Sequence, residues 1–152
     1  MSETTVNEAA AAAPAPKPKR PKAKSMIMMG EQTAAMFENA RLAKEKGEPV
    51  GWSASIFPQE IAETLGLNVL YPENHAAGIA ARHQADPFLQ ECEGELGYSN
   101  DLCAYAKVNL AYAAVLNGES EIELPDGGKM GKPDFLLLTN NICNQLTKWY
   151  EN

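Results

Sequence analysis

Short apolar segments typical of strands alternate with segments of helical periodicity along most of the chain. Strands are predicted at residues 50–54, 67–71 and 135–138, and the last of these is the best candidate for a buried strand. Alternating strands and helices are typical of an α/β domain with a parallel sheet. The sequence therefore predicts a three-layer, parallel-sheet domain of the Rossmann-like or flavodoxin-like kind.

Residues that start or stop helices divide the segments between these strands. The predicted helices span 31–46, 58–66, 74–82, from 99 or 101 to 117, and from 140 or 141 to the last residue. Their expected N-terminal caps are Asn74, Ser99 or Asp101, and Asn140 or Asn141, because these side chains accept hydrogen bonds from free backbone N–H groups. Segment 119–132 is rich in Gly and Pro and is expected to be an exposed loop or a small hairpin.

The first 25 residues differ in composition from the rest of the chain. They are rich in Ala, Pro and Lys and have almost nothing to bury, so they predict a disordered tail, with an anion-binding or partner-binding arm as the alternative. The folded domain is expected over residues 26–152. Residues 1–24 carry five basic and two acidic side chains, whereas the whole chain has a formal net charge of -7. An acidic domain repels phosphate backbones, which argues against specific nucleic-acid binding by the fold.

Apolar runs and cysteine usage indicate the compartment. No apolar run approaches the roughly 18 residues that a bilayer-spanning helix needs, and the first 25 residues lack the apolar core of a signal peptide. The three cysteines are widely spaced, which does not suggest a disulfide framework. These features predict a soluble, cytoplasmic protein in a reducing compartment.

Two cysteines, Cys103 and Cys143, stand beside predicted helix ends, where a thiolate is stabilised. Neither belongs to a Cys-x-x-Cys pair, and a tetrahedral thiolate site normally takes three or four ligands. The chain therefore holds at most half a metal site. From the residues alone, buried and unreactive cysteines are the better interpretation. The third cysteine, Cys92, lies between Glu91 and Glu93, whose charges disfavour a thiolate.

Polar segments directly follow each of the predicted strands. They are Ser53-Ala54-Ser55, Tyr71-Pro72-Glu73-Asn74-His75 and Asn140-Asn141-Ile142-Cys143. Because ligands collect at the carboxyl ends of parallel strands, these three segments are expected to converge at one edge of the sheet. Cys103 does not follow a predicted strand, so this rule does not predict its position. His75 invites an acid–base or metal role, but a histidine at a helix start more often makes only a local hydrogen bond.

Several motifs together give the chain a resemblance to a known family. In chain order they are Gly51-Trp52-Ser53-Ala54-Ser55, Phe57-Pro58-Gln59-Glu60, Tyr71-Pro72-Glu73-Asn74-His75-Ala76-Ala77, Asn100-Asp101-Leu102-Cys103-Ala104-Tyr105-Ala106, Asn140-Asn141-Ile142-Cys143-Asn144-Gln145 and Lys148-Trp149-Tyr150-Glu151. With these motifs the chain resembles the 2-hydroxyacyl-CoA dehydratase family, within the wider benzoyl-CoA reductase group, over about residues 35–152. It looks most similar to the amino-terminal part of the subunit that binds the acyl-CoA substrate at an iron.

The resemblance implies an oxygen-sensitive heterodimer with an iron–sulfur cluster in each subunit. A separate ATP-hydrolysing activator would deliver one electron to the thioester carbonyl of an (R)-2-hydroxyacyl-CoA, and the resulting ketyl radical anion would expel the α-hydroxyl group. Loss of a β-proton and return of the electron would then give the enoyl-CoA. The resemblance thus implies a second subunit, the activator and an acyl-CoA as partners. The apolar runs and the acidic charge described above predict no membrane and no specific nucleic acid among the partners.

The resemblance also implies roles for individual residues. Cys103 and Cys143 would be two of three cysteine ligands of a 4Fe-4S cluster, with the third ligand in a downstream domain that this chain lacks. Ser55 and Glu73 would lie beside the open iron, hold its bound water and help to protonate the departing hydroxide. The alternative for Glu73 is a carboxylate that only stabilises a helix start.

Two classes of function remain open from the sequence. One is part of a dehydratase subunit, either a fragment or half of a split subunit, whose isolated chain is expected to be inactive. The other is a non-catalytic relict or accessory module that kept the fold without the cluster. Reductive chemistry like that of benzoyl-CoA reductase is a further alternative. The first class is favoured because the final predicted helix runs to Asn152 without a stop signal.

Overall fold

A computed structural model describes residues 21–141 and 143–151 of the chain. The helices are α1 Lys24–Glu45, α2 Gln59–Thr64, α3 Pro72–Ala81, α4 Asp86–Gly94, α5 Ala104–Asn117 and α6 Asn144–Glu151. The strands are β1 Val50–Ser53, β2 Asn68–Leu70 and β3 Phe135–Leu137. Residues 1–20, most of the predicted tail, lie outside the described residues, so the tail and the start of the domain stay predictions.

The strands form one parallel sheet in the order β2-β1-β3. β1 lies in the centre, and each of its residues is buried. Two contacts tie β1 to β3 beyond their ladder: the N–H of Ala54 donates to the carbonyl of Leu137 at 2.8 Å, and the N–H of Val50 donates to Asp134 Oδ2 at 2.8 Å. The prediction of an α/β domain with a parallel sheet is confirmed.

The edge strand β3 differs from its prediction. Its apolar run predicts the best-buried strand, but the sheet order places β3 at an edge, and Leu136 and Leu138 are 40% and 37% exposed. The best-buried strand is β1, since it pairs on both sides. Glycine is required at position 51 in β1 because a Cβ there would overlap the ring of Phe135, its register partner on β3.

The first helix is longer than its prediction. α1 begins at Lys24, well before the predicted start at residue 31, because its first turns are exposed and no apolar periodicity marks them. The buried positions of α1 are Ala40 and Ala43, near its carboxyl end. Gly47 ends the helix as predicted: its φ of 76° is in the left-handed region, and its N–H donates to Lys44 O at 3.0 Å.

Two helices begin at residues other than the predicted ones. α3 begins at Pro72 with Tyr71 at the cap position, so the predicted cap Asn74 lies inside the helix. Proline suits this position because the first helical residue needs no N–H donor. α6 begins at Asn144, beyond the predicted caps at residues 140 and 141.

The start of α5 is also corrected. Cys103 occupies the cap position and Ala104 is the first helical residue, so neither Ser99 nor Asp101 caps this helix. The Ser99 hydroxyl instead accepts the N–H of Asp101 at 3.2 Å in the preceding turn. The predicted stop is confirmed, because Gly118 follows the helix with a φ of 79°.

Two regions of the chain complete the core. α4 has no counterpart among the predicted helices, since acidic residues interrupt its apolar ones, yet Phe88 and Cys92 on one face of it are buried. Segment 119–132 contains no helix or strand, which confirms the loop. It is not fully exposed, because Met130 is buried in the core and Ile122 and Leu124 pack against it.

Candidate functional site

Two of the predicted site residues, Ser55 and Glu73, meet at the carboxyl edge of the sheet. Ser55 lies in the turn after β1, and Glu73 lies in the first turn of α3, directly after β2. The backbone N–H of Ser55 donates to Glu73 Oε2 at 2.9 Å. The Ser55 hydroxyl is 3.2 Å from Asn74 Oδ1, to which it donates. Adjacent parallel strands thus bring together a hydroxyl and a half-buried carboxylate.

The neighbouring serine of the same segment takes a different place. Ser53 is buried at the end of β1, and its hydroxyl donates to the carbonyl of Ala54 at 3.2 Å. Ser55 is partly exposed because it lies beyond the strand. Of the two serines, Ser55 is therefore the one positioned to meet a ligand at the edge of the sheet.

Cys103 lies partly exposed at the cap position of α5. A buried lysine, Lys107, fixes the loop that leads to it: its ammonium donates to the carbonyl of Asn100 at 3.1 Å and forms an ion pair with Glu93. The N–H of Lys107 also donates to the carbonyl of Cys103 at 3.0 Å. Cys103 therefore lies at a helix N-terminus, on a loop that the Lys107 contacts fix in position. Backbone dipoles at a helix N-terminus favour negative charge.

Asn109 joins α5 to the start of α3. This buried side chain donates from Nδ2 to the carbonyl of Pro72 at 3.0 Å and to the carbonyl of Tyr105 at 3.1 Å. Since Pro72 directly precedes Glu73, Asn109 fixes the position of the helix that carries the carboxylate. Sequence reasoning missed both Asn109 and Lys107, although polar residues inside the otherwise apolar α5 are a visible signal.

Cys143 is exposed and directly precedes α6. Its carbonyl accepts the N–H of Leu146 at 3.3 Å. α6 contacts α5, and its Tyr150 has a buried hydroxyl. Burial, and secondly the charge of Glu73, raise the pKa of Tyr150 well above its ordinary value. The end of α6 therefore lies within electrostatic reach of the Ser55–Glu73 pair.

The donor set for a metal is incomplete within the described residues. Burial raises the pKa of the Cys92 thiol to about 11, with smaller opposing effects from Lys107 and Glu93, so the surroundings of Cys92 do not favour a thiolate. Across residues 21–141 and 143–151, no group of three or more His, Cys, Asp or Glu side chains is arranged to hold a metal ion. The described residues alone therefore supply no complete set of metal ligands, and a site that used Cys103 and Cys143 would need further ligands from elsewhere.

His75 belongs to a separate buried cluster. Its Nε2 lies 2.8 Å from Asp126 Oδ2, and the two side chains are 5% and 10% exposed. The Tyr112 hydroxyl and the Gly128 N–H donate to Asp126 Oδ1 at 3.0 and 3.1 Å. Burial acts to raise the pKa of Asp126, but His75, Tyr112 and Gly128 together hold it below its ordinary value. The expected local partner for His75 is wrong, since Asp126 lies far away along the chain.

Comparisons with known proteins identify the family to which the chain belongs. Residues 54–152 match the family model described as 2-hydroxyglutaryl-CoA dehydratase, D-component. The chain therefore belongs to this dehydratase family, and the predicted resemblance is confirmed. The matched region contains all four predicted site residues: Ser55, Glu73, Cys103 and Cys143.

Curated relatives support the same family. The chain is 48% identical over 130 residues to the (R)-2-hydroxyisocaproyl-CoA dehydratase alpha subunit of Clostridioides difficile, and the match covers 85% of this chain and 30% of that one. It is 48% identical over 129 residues to the (R)-phenyllactyl-CoA dehydratase alpha subunit of Clostridium sporogenes, with the same shares. A benzoyl-CoA reductase chain of Thauera aromatica is more distant, at 30% identity over 84% of this chain and 28% of its own length. The chain thus spans about 30% of the length of the first two relatives.

A helix can cross a bilayer only if it is both long enough and apolar enough. None of the helices within 21–141 and 143–151 combines the length and the apolar character that crossing a bilayer requires.

Proposed function

We propose that this chain is the amino-terminal, cluster-binding part of a 2-hydroxyacyl-CoA dehydratase subunit of the alpha type. The reaction is elimination of water from an (R)-2-hydroxyacyl-CoA to give an enoyl-CoA, through a ketyl radical on the substrate. The observation that supports this best is the 2.9 Å contact between the Ser55 N–H and Glu73, because it joins the two residues to which the family resemblance assigns the chemistry. The relatives named as alpha subunits of such dehydratases support the same proposal.

Cys103 and Cys143 would hold two iron ions of a 4Fe-4S cluster. Both residues directly precede a helix, where a thiolate is favoured. When bound, such a cluster supplies a Lewis-acidic iron and one-electron chemistry. The remaining cysteine ligand would come from another part of the subunit.

Glu73 and Ser55 act on the leaving group in this proposal. Glu73 is half-buried and accepts a backbone N–H through one oxygen, which fixes its orientation at the edge of the sheet. A carboxyl group held in this way donates a proton to the departing hydroxide. The Ser55 hydroxyl, which now donates to Asn74, would turn to hold the departing water.

The proposed assembly contains more than this chain. Partners are the rest of the alpha-type subunit, a second dehydratase subunit and an ATP-dependent iron–sulfur activator that supplies the electron, with an acyl-CoA as substrate. The compartment is the cytoplasm. The names of the relatives as alpha subunits support a multi-subunit enzyme.

A non-catalytic accessory module is the second candidate. The observation that favours it is the incomplete donor set, since the described residues group no three side chains able to hold a metal ion. Such a module would keep the fold and its contacts to a partner subunit without binding iron.

Anaerobic iron–sulfide reconstitution separates these two candidates. The chain is tested alone and then with the portion of a related alpha subunit that lies outside the matched region supplied as a separate polypeptide, followed by iron counting and electron paramagnetic resonance. We expect a cluster only in the combined sample, and its loss in both Cys103→Ala and Cys143→Ala. Cys92→Ala is the matched control and should keep the iron. Absence of iron from the combined sample would favour the accessory module.

A further inference from the structure

The amino-terminal half of α1 lies apart from the core of the described fold. Every residue of the segment 24–32 is exposed, and the first half-buried positions of the helix are Met36 and Phe37. The exposed segment carries four consecutive large apolar side chains, which are between 47% and 66% exposed. They are Met26, Ile27, Met28 and Met29. An exposed apolar patch of this kind marks a surface that another molecule covers.

Local signals do little to stabilise this half of α1. Among the described residues, no side chain caps its amino terminus, and its first turn contains no acidic residue. Gly30 lies in its middle, where glycine costs about 1 kcal/mol relative to alanine. Helices shorter than about 12–15 residues are marginal in water by themselves, so most of their stability comes from packing. Residues 24–32 therefore need a partner surface from outside the described fold.

One face of this segment is complementary to itself. Four of its residues are spaced i, i+3, i+4 and i+7 along the helix, so they share that face. They are Lys24, Ile27, Met28 and Glu31. When a second copy of α1 packs antiparallel about a two-fold axis between residues 27 and 28, each Ile27 meets the Met28 of the other copy. Each Lys24 then faces Glu31 of the other copy, and a two-fold interface requires this kind of complementarity.

The charges of Lys24 and Glu31 favour a second copy over other occupants. Within residues 21–141 and 143–151, neither side chain takes part in an ion pair, so both are available to a partner. An anionic membrane surface would attract Lys24 but repel Glu31 on the same face. An antiparallel copy of the helix pairs both charges.

We propose that residues 24–32 dock on a second copy of this chain, as an antiparallel pair of α1 helices centred on Ile27 and Met28. The pair covers these two apolar side chains and joins Lys24 of each copy to Glu31 of the other. The segment is only about 14 Å long, so the pair buries less than a standard interface of about 1,600 Å². The expected association is therefore weak, in the micromolar range, and it is independent of iron and of the proposed reaction.

Sedimentation equilibrium of the full chain without iron measures this association over a series of concentrations. We expect a reversible equilibrium between monomer and dimer for the wild-type chain. Ile27→Glu buries a charge in each copy at the centre of the pair and should weaken the dimer about tenfold or more. Met29→Glu is the matched control, because it adds the same charge on the opposite side of the helix and should change the dissociation constant by less than about twofold. Circular dichroism establishes that each variant is folded.

A charge exchange tests the antiparallel register. Lys24→Glu and Glu31→Lys each place like charges opposite one another at two positions of the pair, so each alone should weaken the dimer about three- to tenfold. The double variant Lys24→Glu/Glu31→Lys restores opposite charges at both positions. Its dissociation constant should return to within about twofold of the wild-type value.

Three results would overturn the inference: a wild-type chain that stays monomeric throughout the series, equal weakening by Ile27→Glu and Met29→Glu, or a double charge variant that associates no better than the single variants. A chain that stays monomeric but binds the remaining portion of a related alpha subunit through residues 24–32 gives the first of these results, and it would assign the surface to that portion instead. These results do not depend on cluster formation, so failure of this inference leaves the proposed function standing.

Discussion

Asp126 and Glu73 are the central carboxylates of two polar clusters that α3 connects, and their surroundings differ. Asp126 is almost fully buried and bonds His75, Tyr112 and the Gly128 N–H. Glu73 is half-buried and accepts one backbone N–H, from Ser55. Glu73 and His75 are two residues apart on α3, and residues at that spacing point to different sides of a helix. One turn of helix thus supplies a closed cluster on one side and an open site on the other.

The different surroundings of the two carboxylates indicate different roles. In the closed cluster, hydrogen bonds hold segment 119–132 against the core, so the carboxylate contributes to stability. At the open edge, the carboxylate is oriented by the backbone and keeps capacity for a ligand. Substitutions in the two clusters should therefore separate stability from function.

The largest effect is expected from Asp126→Ala. Removal of this carboxylate leaves the buried His75 and Tyr112 side chains without their partner, which should lower the free energy of unfolding by about 3 kcal/mol. Urea unfolding measures it. Glu123→Ala, an exposed acidic residue of the same segment, is the control and should change stability by less than about 0.5 kcal/mol. Equal effects of the two substitutions would remove the distinction between the clusters.

Asn109→Ala tests whether the open site has its own buried support. The buried amide donates to the carbonyls of Pro72 and Tyr105, so its loss should cost about 2 kcal/mol in the free energy of unfolding. Asn117→Ala, at the exposed end of α5, serves as the reference and should cost much less. A cost below about 0.5 kcal/mol would mean that the start of α3 is held by other contacts.

The closed cluster should also appear in the pH dependence of stability. The pKa of Asp126 is lower in the folded chain than in the unfolded chain, so its stabilisation is complete above the ordinary aspartate pKa of about 3.9. The stabilisation is lost as the pH falls through the folded-state pKa. The free energy of unfolding should therefore decline from about pH 5 downwards less steeply in Asp126→Asn than in the wild-type chain. Urea unfolding of both chains at a series of pH values between about 6 and 3 gives the slope of the free energy of unfolding against pH for each. Identical slopes would contradict a lowered pKa of Asp126 in the folded chain.

Much of the fold follows from local signals in the sequence. The strands are predictable because short apolar runs lie between glycine and proline signals, and a parallel sheet follows from their alternation with helices. Gly47 and Gly118 mark helix ends because the backbone there is left-handed. Starts of helices are less predictable. α5 begins after Cys103 although no side chain of the described residues caps it, because Lys107 in its first turns holds the preceding loop through Asn100 and through Glu93 of α4.

The candidate site was predictable where topology alone decides it. The carboxyl ends of adjacent parallel strands meet, so Ser55 and Glu73 are expected to converge, and they do. The partner of His75 was not predictable, because segment 119–132 brings Asp126 back across the core by packing that has no periodic pattern. Asn109 is an intermediate case, since a polar residue on an apolar helix signals a buried contact but not its partner.

The smallest effect on stability is expected from Glu73→Gln. A glutamine oxygen still accepts the Ser55 N–H, so the free energy of unfolding should change by less than about 0.5 kcal/mol. Under the proposed function, loss of the acidic proton should lower dehydration by the assembled enzyme about 100-fold or more. Glu60→Gln, an exposed residue of α2, controls for the change of charge and should leave both quantities unchanged. A Glu73→Gln enzyme that is fully active would make Glu73 a helix-start carboxylate only, whereas an unstable one would place it with Asp126 among the residues that hold the fold.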